Sequence, residues 1–477
     1  MSVETLDRIA GQGREAPEKP ASRKLIRKVA VLGAGNMGSR IAAHFANAGV
    51  PVVLLDMVSE SPGRNALAIA ALDALKNAKP AAFFEPGLKR LITPGNFEDD
   101  LGLLRDCDWI IEAVAENLEI KRQLLARMAP FRRADAIVTT NTSGLPVAQI
   151  AEQMDASFRR YWFGAHFFNP PRYMRLLEII PTPEADPVLV EMIRGFGDLR
   201  LGKTVVLAKD TPNFIANRIG TFALMNAIHV MQEMDLTIEQ VDALTGAVLG
   251  WPKTGTFRLS DMVGIDVLAS VGRNFFERVK DERSDLKLPD FLDQMLARKW
   301  LGDKAGQGFY KKTKSPGADE ARLGLDWKTV EYRPSERAKF PAVEMAKNAE
   351  SLPERLRLLL AGDPRKDTAA AFYWRVLPEL WNYAANRLGE AADSVVSIDA
   401  AMRTGFNWQM GPFEMWDAAG VRETAEKMTA TGMELARAAA ELLQSGNNSW
   451  YRDHPTGRLY FDTQTHSCRP VEELGGF

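Results

Sequence analysis

The residues best placed to do chemistry are a histidine and a carboxylate. His166 lies between two aromatic-rich apolar runs, Tyr161-Trp-Phe-Gly-Ala and Phe167-Phe, and Glu178 stands twelve positions on, beyond Pro170-Pro171. The run up to His166 and the run from Leu176 to Ile180 read as two buried strands joined by a proline turn. Such a turn would set Glu178 beside the imidazole. A carboxylate there holds the ring's tautomer and stabilises its protonated form, as a general base requires. The competing reading is a satisfied core histidine among aromatics, and the stretch taken alone favours it.

Further upstream the pattern is that of a nucleotide site. Lys28-Val-Ala-Val-Leu32 is a strand, Gly33-Ala-Gly35-Asn36-Met37-Gly38 a glycine turn, and Ser39 to Ala48 a helix. Gly33 suits a tight turn, Gly35 a close approach of pyrophosphate, and Gly38 tight helix–strand packing. Val52 to Leu55 is a second strand ending in Asp56, about twenty residues on, where a ribose-hydroxyl acceptor is expected. That acid would repel a 2′-phosphate, which favours NAD over NADP. Glu116 and Lys121 follow the strand Trp109 to Glu112. They would bracket a nicotinamide ribose or form an ordinary surface pair, and the residues alone favour the surface pair.

Ser143 turns off the end of a strand, Ala136 to Thr140, where ligands of doubly wound sheets bind. An N-cap for the helix after Pro146 is its plain alternative. Lys203 to Leu207 reads as the last strand of this half. Thr211-Pro212 then opens a long helix, with Asn217 about two turns in, too deep for a cap and suited to a polar contact across a cleft. The Pro80 to Gly87 stretch reads as a loop.

These elements need several domains, as 477 residues allow. Apolar content of 46% and charged content of 26% are those of a globular protein, and a net charge of −2 offers nothing to nucleic acid or a membrane surface. No apolar run is long enough to span a membrane. Cys107 and Cys468 are far apart, so no metal is indicated, and the expected compartment is a reducing cytoplasm. The first 24 residues mix Glu4, Asp7 and Glu15 with Arg8 and Arg14 and lack an apolar core, which argues against a secretory or transit signal. Beyond residue 211 the pattern is helical, with no alternating strand pattern. There Gly255-Thr-Phe-Arg-Leu-Ser-Asp261-Met-Val-Gly264 is echoed by Gly411-Pro-Phe-Glu-Met-Trp-Asp417-Ala-Ala-Gly420, and Val241-Asp242-Ala by Ile398-Asp399-Ala. A duplicated helical domain is expected, the second copy structural, since it lacks the motif that opens the first.

Taken in order, Gly33 to Gly38, Asp56, Glu116-Asn-Leu with Lys121, Asn141-Thr-Ser143, His166-Phe-Phe-Asn169-Pro170, Glu178 and Asp210-Thr-Pro-Asn-Phe-Ile-Ala-Asn217-Arg218 resemble the L-3-hydroxyacyl-CoA dehydrogenase family of fatty-acid β-oxidation. The chain is most like the dehydrogenase part of long bacterial proteins that also carry an enoyl-CoA hydratase. The resemblance implies that His166 is the catalytic base, Glu178 its orienting partner, and Ser143 and Asn217 contacts of the substrate's 3-oxygen. The family's NAD contacts fall on Asp56, Glu116, Lys121, Ser143, Asn169 and Lys304, beside the glycine turn. The Ser and Lys that bind CoA in short members have no counterpart in residues 60 to 80.

The expected fold is a Rossmann-type doubly wound α/β sheet followed by two all-α domains related by duplication. Residues 1–24 would be an N-terminal extension, 25–210 the NAD-binding domain and 211–310 the first helical domain. A linker over 311–365, the second helical repeat over 366–445 and a tail over 446–477 complete the plan. The chain stops at Phe477 without room for a hydratase module, as a dehydrogenase-only or a truncated form. The expected substrate is an acyl-CoA, and the expected partners are a second subunit, a thiolase or a hydratase. The rival functions are a dehydrogenase for another small hydroxy acid and a non-catalytic assembly subunit.

Overall fold

The computed structural model describes residues 25–60, 63–313 and 321–471, so the expected extension over 1–24 lies outside the described residues. The first half runs β1 (Val29–Leu32), α1 (Asn36–Asn47), β2 (Val52–Asp56), α2 (Ala66–Ala74), β3 (Ile92–Asn96), β4 (Trp109–Glu112), α3 (Leu118–Met128) and β5 (Ile137–Thr140). It continues with the one-turn helices α4 (Val147–Ile150) and α5 (Ala156–Arg159), then β6 (Trp162–Phe167), β7 (Leu176–Pro181), α6 (Pro187–Leu199) and β8 (Thr204–Leu207). The eight strands form one sheet in the order β3-β2-β1-β4-β5-β6-β7-β8. Every neighbouring pair is parallel except β6 and β7.

The central strands β1, β4 and β5 are buried throughout, which explains their near-continuous apolar sequences. Val29, Val31 and Ile111 face α1 on one side of the sheet. Ala30, Leu32 and Ile110 join a core continuous with the helical half on the other. The edge strand β3 is absent from the sequence reading because Pro94 and Gly95 sit inside it, and both residues weaken a strand pattern.

The second half opens with α7 (Ala216–Glu233), α8 (Ile238–Leu244), α9 (Gly255–Val263), α10 (Ile265–Arg278) and α11 (Asp290–Ala297). The long helix expected from Thr211-Pro212 starts later, because Asn213 and Phe214 take φ of 64° and 50° and turn the chain first. Asn217 therefore sits in the first turn of α7, not two turns in.

Strands follow where none are expected. The stretch read as a linker contains a three-stranded antiparallel sheet, β9 (Tyr310–Thr313), β10 (Ala321–Asp326) and β11 (Glu331–Pro334), then α12 (Pro341–Ala346) and α13 (Leu352–Leu360). Leu325 and Val330 are fully buried and Arg333 pairs with Glu239 at 2.7 Å, so this charged segment is anchored to the first helical copy. The second copy comprises α14 (Thr368–Asn386), α15 (Val395–Gly405), α16 (Pro412–Ala419), α17 (Val421–Ala430) and α18 (Arg437–Gln444). The expected tail is its sheet, β12 (Tyr451–His454), β13 (Gly457–Asp462) and β14 (Ser467–Pro470), seated by the buried Trp450.

The duplication reaches individual hydrogen bonds. Asp242 accepts the Phe257 and Arg258 amides and the Tyr310 hydroxyl. Asp399 accepts the Phe413 and Glu414 amides and the Tyr451 hydroxyl. Asp261 takes the amides of Phe309 and Tyr310, as Asp417 takes those of Trp450 and Tyr451. A Cβ on Gly411 would come within 2.3 Å of the Asp399 Cα, and one on Gly255 within 2.8 Å of the Asp242 Cα. Glycine is thus required at the same point in each copy. The copies meet along α7 and α14, where Phe222 stacks on Tyr383 with ring centroids 3.8 Å apart.

Candidate active site

His166 and Glu178 are directly opposed in the β6–β7 ladder. The register puts both side chains on one face, and His166 Nδ1 lies 2.7 Å from Glu178 Oε2. Glu178 is fully buried, and its other oxygen accepts the amides of Ile215 at 3.1 Å and Ala216 at 2.8 Å. One carboxylate thus holds the imidazole and caps the amino end of α7, where free amides favour a negative charge. The rings of Phe168 and Phe214 flank His166 at 4.5 and 5.6 Å. If Nδ1–H is donated to Glu178, Nε2 is left as the ring's acceptor, an arrangement a general base can use.

Glu116 gathers the turn that carries Ser143. Its Oε1 accepts the Thr142 hydroxyl at 2.6 Å and the Ser143 and Gly144 amides at 3.0 and 3.2 Å. The Ser143 hydroxyl reaches it at 3.4 Å, a long bond that leaves the group available to a ligand. The N-cap reading of Ser143 does not hold, because Asp210 accepts the Val147 and Ala148 amides of α4.

Lys121 is no surface residue. It is 1% exposed and sits between Glu112 at 2.7 Å and Glu116 at 3.4 Å. Burial pushes the Glu116 carboxyl up, but Lys121, the Thr142 hydroxyl and the Ser143 amide outweigh it and leave it below its usual range. Glu112 escaped the sequence reading. It takes Lys121 and the Thr140 hydroxyl at the carboxyl end of β4, and the signal was an acid closing a wholly buried strand.

The glycine turn has the shape a dinucleotide needs. Gly33 has φ of 106°, and a Cβ there would lie 2.6 Å from the Ala113 carbonyl oxygen. A Cβ on Gly38 would strike the Gly33 carbonyl at 1.8 Å, so only glycine lets α1 pack this closely. A Cβ on Gly35 would meet nothing within 4 Å, which leaves that face open for phosphate. Asp56 accepts the Ala34 and Met57 amides at 2.6 Å each, at the end of β2 beside the turn. Asn36 and Met37 form the first turn of α1, where the Asn36 side chain accepts from Arg40.

The remaining expected residues divide. Asn169 is exposed just beyond β6, next to the histidine strand. Asn217 is half-buried beside the amides that rest on Glu178. Lys304 is not brought to the others. It pairs with Asp266 at the start of α10, whereas Arg278 at the far end of that helix reaches the Gly144 carbonyl at 3.0 Å. At 1.5 Å per residue roughly 18 Å of helix lies between Asp266 and Arg278. Among the described residues, no group of three or more His, Cys, Asp or Glu could hold a metal ion.

Family models for the 3-hydroxyacyl-CoA dehydrogenase NAD binding domain and C-terminal domain match residues 28–211 and, in two blocks, 214–312 and 372–450. A Bacillus subtilis protein named a probable 3-hydroxyacyl-CoA dehydrogenase is 42% identical over 92% of this chain, which covers 57% of that relative. A Deinococcus radiodurans protein with the same name is 45% identical over 61% of the chain and 85% of its own length. Among solved structures, 3-hydroxybutyryl-CoA dehydrogenase from Escherichia coli K12 superposes with a TM-score of 0.67 over 89% of this chain and all of its own. Its 22% identity bears on the fold alone. FadB2 from Mycobacterium tuberculosis, 30% identical, matches 61% of this chain and all of its own with a TM-score of 0.53.

Proposed function

The chain belongs to the 3-hydroxyacyl-CoA dehydrogenase family, and from that premise we propose that it interconverts an L-3-hydroxyacyl-CoA and the 3-ketoacyl-CoA with NAD. The observation that carries the reading is the buried His166–Glu178 pair at 2.7 Å beside an open glycine turn. His166 Nε2 takes the 3-hydroxyl proton, and Glu178 stabilises the imidazolium that results. Ser143 and Asn217 hold the 3-oxygen, so that C3 is oriented before reaction. Phe168 and Phe214 keep water from the ring. NAD, when bound, accepts the hydride from C3.

Gly33, Gly35 and Gly38 with Asp56 would seat the dinucleotide, and the Glu116–Lys121 pair would hold the turn that faces its nicotinamide end. The same proposal places the chain in fatty-acid β-oxidation. There hydration of a 2-enoyl thioester supplies the substrate and thiolytic cleavage consumes the product, so a hydratase and a thiolase are its natural partners. The proposed compartment is the cytoplasm, with Cys107 and Cys468 as free thiols. No helix among the described residues is long and apolar enough to cross a membrane.

The test is loss of NADH absorbance on adding acetoacetyl-CoA, with free acetoacetate in parallel. Turnover of the thioester alone is expected. Equal turnover of the free acid would favour a dehydrogenase of small hydroxy acids. Silence with both while NADH binds would favour an assembly subunit.

A further inference from the structure

The segment that enters the active site, residues 209–218, is gripped at both ends by the second helical copy. At its far end Arg218 is 1% exposed in the first turn of α7. Its Nε donates to the Tyr383 hydroxyl at 2.7 Å, and its Nη2 lies 2.9 Å from both Asp281 and Glu390. Tyr383 in turn donates to Asp281 at 2.8 Å, and Arg387 joins Asp281 at 2.5 Å and Glu282 at 2.7 Å. At the near end the Lys209 amide donates to the Ala391 carbonyl at 2.9 Å, and its Nζ reaches Gly389 and Asp393 at 2.7 and 2.6 Å.

Between these two grips lie the groups that meet the histidine and its carboxylate. Phe214 packs against the His166 ring, and the Ile215 and Ala216 amides rest on Glu178. Arg218 also reaches back to the Pro212 carbonyl at 3.4 Å, which ties the left-handed turn at Asn213 and Phe214 to the same guanidinium. A guanidinium has a rigid fork of donors, and a buried one left with an unanswered donor carries a free-energy cost that a shift of the side chain relieves. Movement of Arg218 would carry the Pro212–Ala216 turn with it.

We infer that Tyr383, Arg387 and Glu390 of the second copy are positioning residues for the His166–Glu178 pair, acting through Arg218. The inference rests on the proposed dehydrogenase reading. It gives the duplicated copy a part in catalysis, although that copy supplies no group that touches substrate.

The full-length protein is assayed with acetoacetyl-CoA as parent, Tyr383→Phe and Glu390→Gln. Tyr383→Phe keeps the ring stacked on Phe222 and removes only the hydroxyl. Glu390 is half-exposed, so its variant folds even if the first does not. Tyr383→Phe is expected to lower kcat about tenfold, with KM and NADH affinity held within about twofold. Glu390→Gln should show the same split at about threefold. Folded variants with parental kcat, or with a lowered melting temperature as their sole change, overturn the inference while leaving the dehydrogenase reading intact. A parent silent on acetoacetyl-CoA sinks that reading and this inference with it.

Discussion

In the second helical copy, the amides of Ala369 and Ala370 that open α14 fall on Asp367, a cap two residues away. In the first copy, the amides that open α7 fall on Glu178, 37 residues earlier and in the sheet. The copies share an aspartate pattern: equivalent aspartates take equivalent amides and an equivalent tyrosine hydroxyl. A helix capped by its own neighbour needs nothing from the rest of the chain. A helix capped from the sheet has its start tied to the carboxylate that the histidine shares, with Phe214, just before it, against the ring. On the proposed reading, chemistry resides in one exchanged cap on a scaffold built twice.

The sharpest way to break this contrast is His166→Ala, which should lower kcat by about two orders of magnitude or more while NADH affinity holds. Glu178→Gln keeps an oxygen for the α7 amides but cannot stabilise the imidazolium, so kcat should fall by about tenfold or more with only a modest loss of stability. Asp367→Ala removes the equivalent cap in the other copy and should cost about 1 kcal/mol in urea unfolding with kcat unchanged. Equal kinetic losses from the two cap variants would erase the distinction between the copies.

The smallest effect concerns what the copies share. Burial pushes the Asp242 and Asp417 carboxyls up from 3.8 to about 7. A raised folded value means the fold holds the proton more tightly than the unfolded chain. That stabilisation is complete below the unfolded value and is lost as pH rises through about 7. Asp242→Asn and Asp417→Asn lack this loss, so their stability deficits against the parent should narrow between about pH 5 and about pH 8, alike in both copies. A deficit that widens with pH, measured by urea unfolding, would contradict the shift.

Much of this was legible in local pattern. The Gly33-x-Gly35-x-x-Gly38 turn was readable because each glycine answers a steric demand within a few residues of itself. The apposition of His166 and Glu178 was readable because a hairpin's register follows from two apolar runs and a proline turn. What escaped depends on distant parts of the chain. Lys121 looks like a surface residue until Glu112 is found beneath it, and nothing near Glu178 announces that it caps a helix starting at Ala216. The sheet over residues 451–470 looked like a tail because its strands are short and interrupted by charged residues. Its place is set by Asp417 and Asp399 in the preceding helices. Lys304 came with the family resemblance, and its ion pair with Asp266 at the start of α10 is not legible in local pattern.

The most direct test of the account compares the parent with His166→Ala, each loaded with NADH and mixed rapidly with acetoacetyl-CoA. NADH fluorescence should report binding by both proteins, and NADH absorbance should fall promptly in the parent alone. Absorbance falling at the same rate in the variant would contradict the assignment of His166, and with it the claim that the first copy's cap is where the chemistry resides.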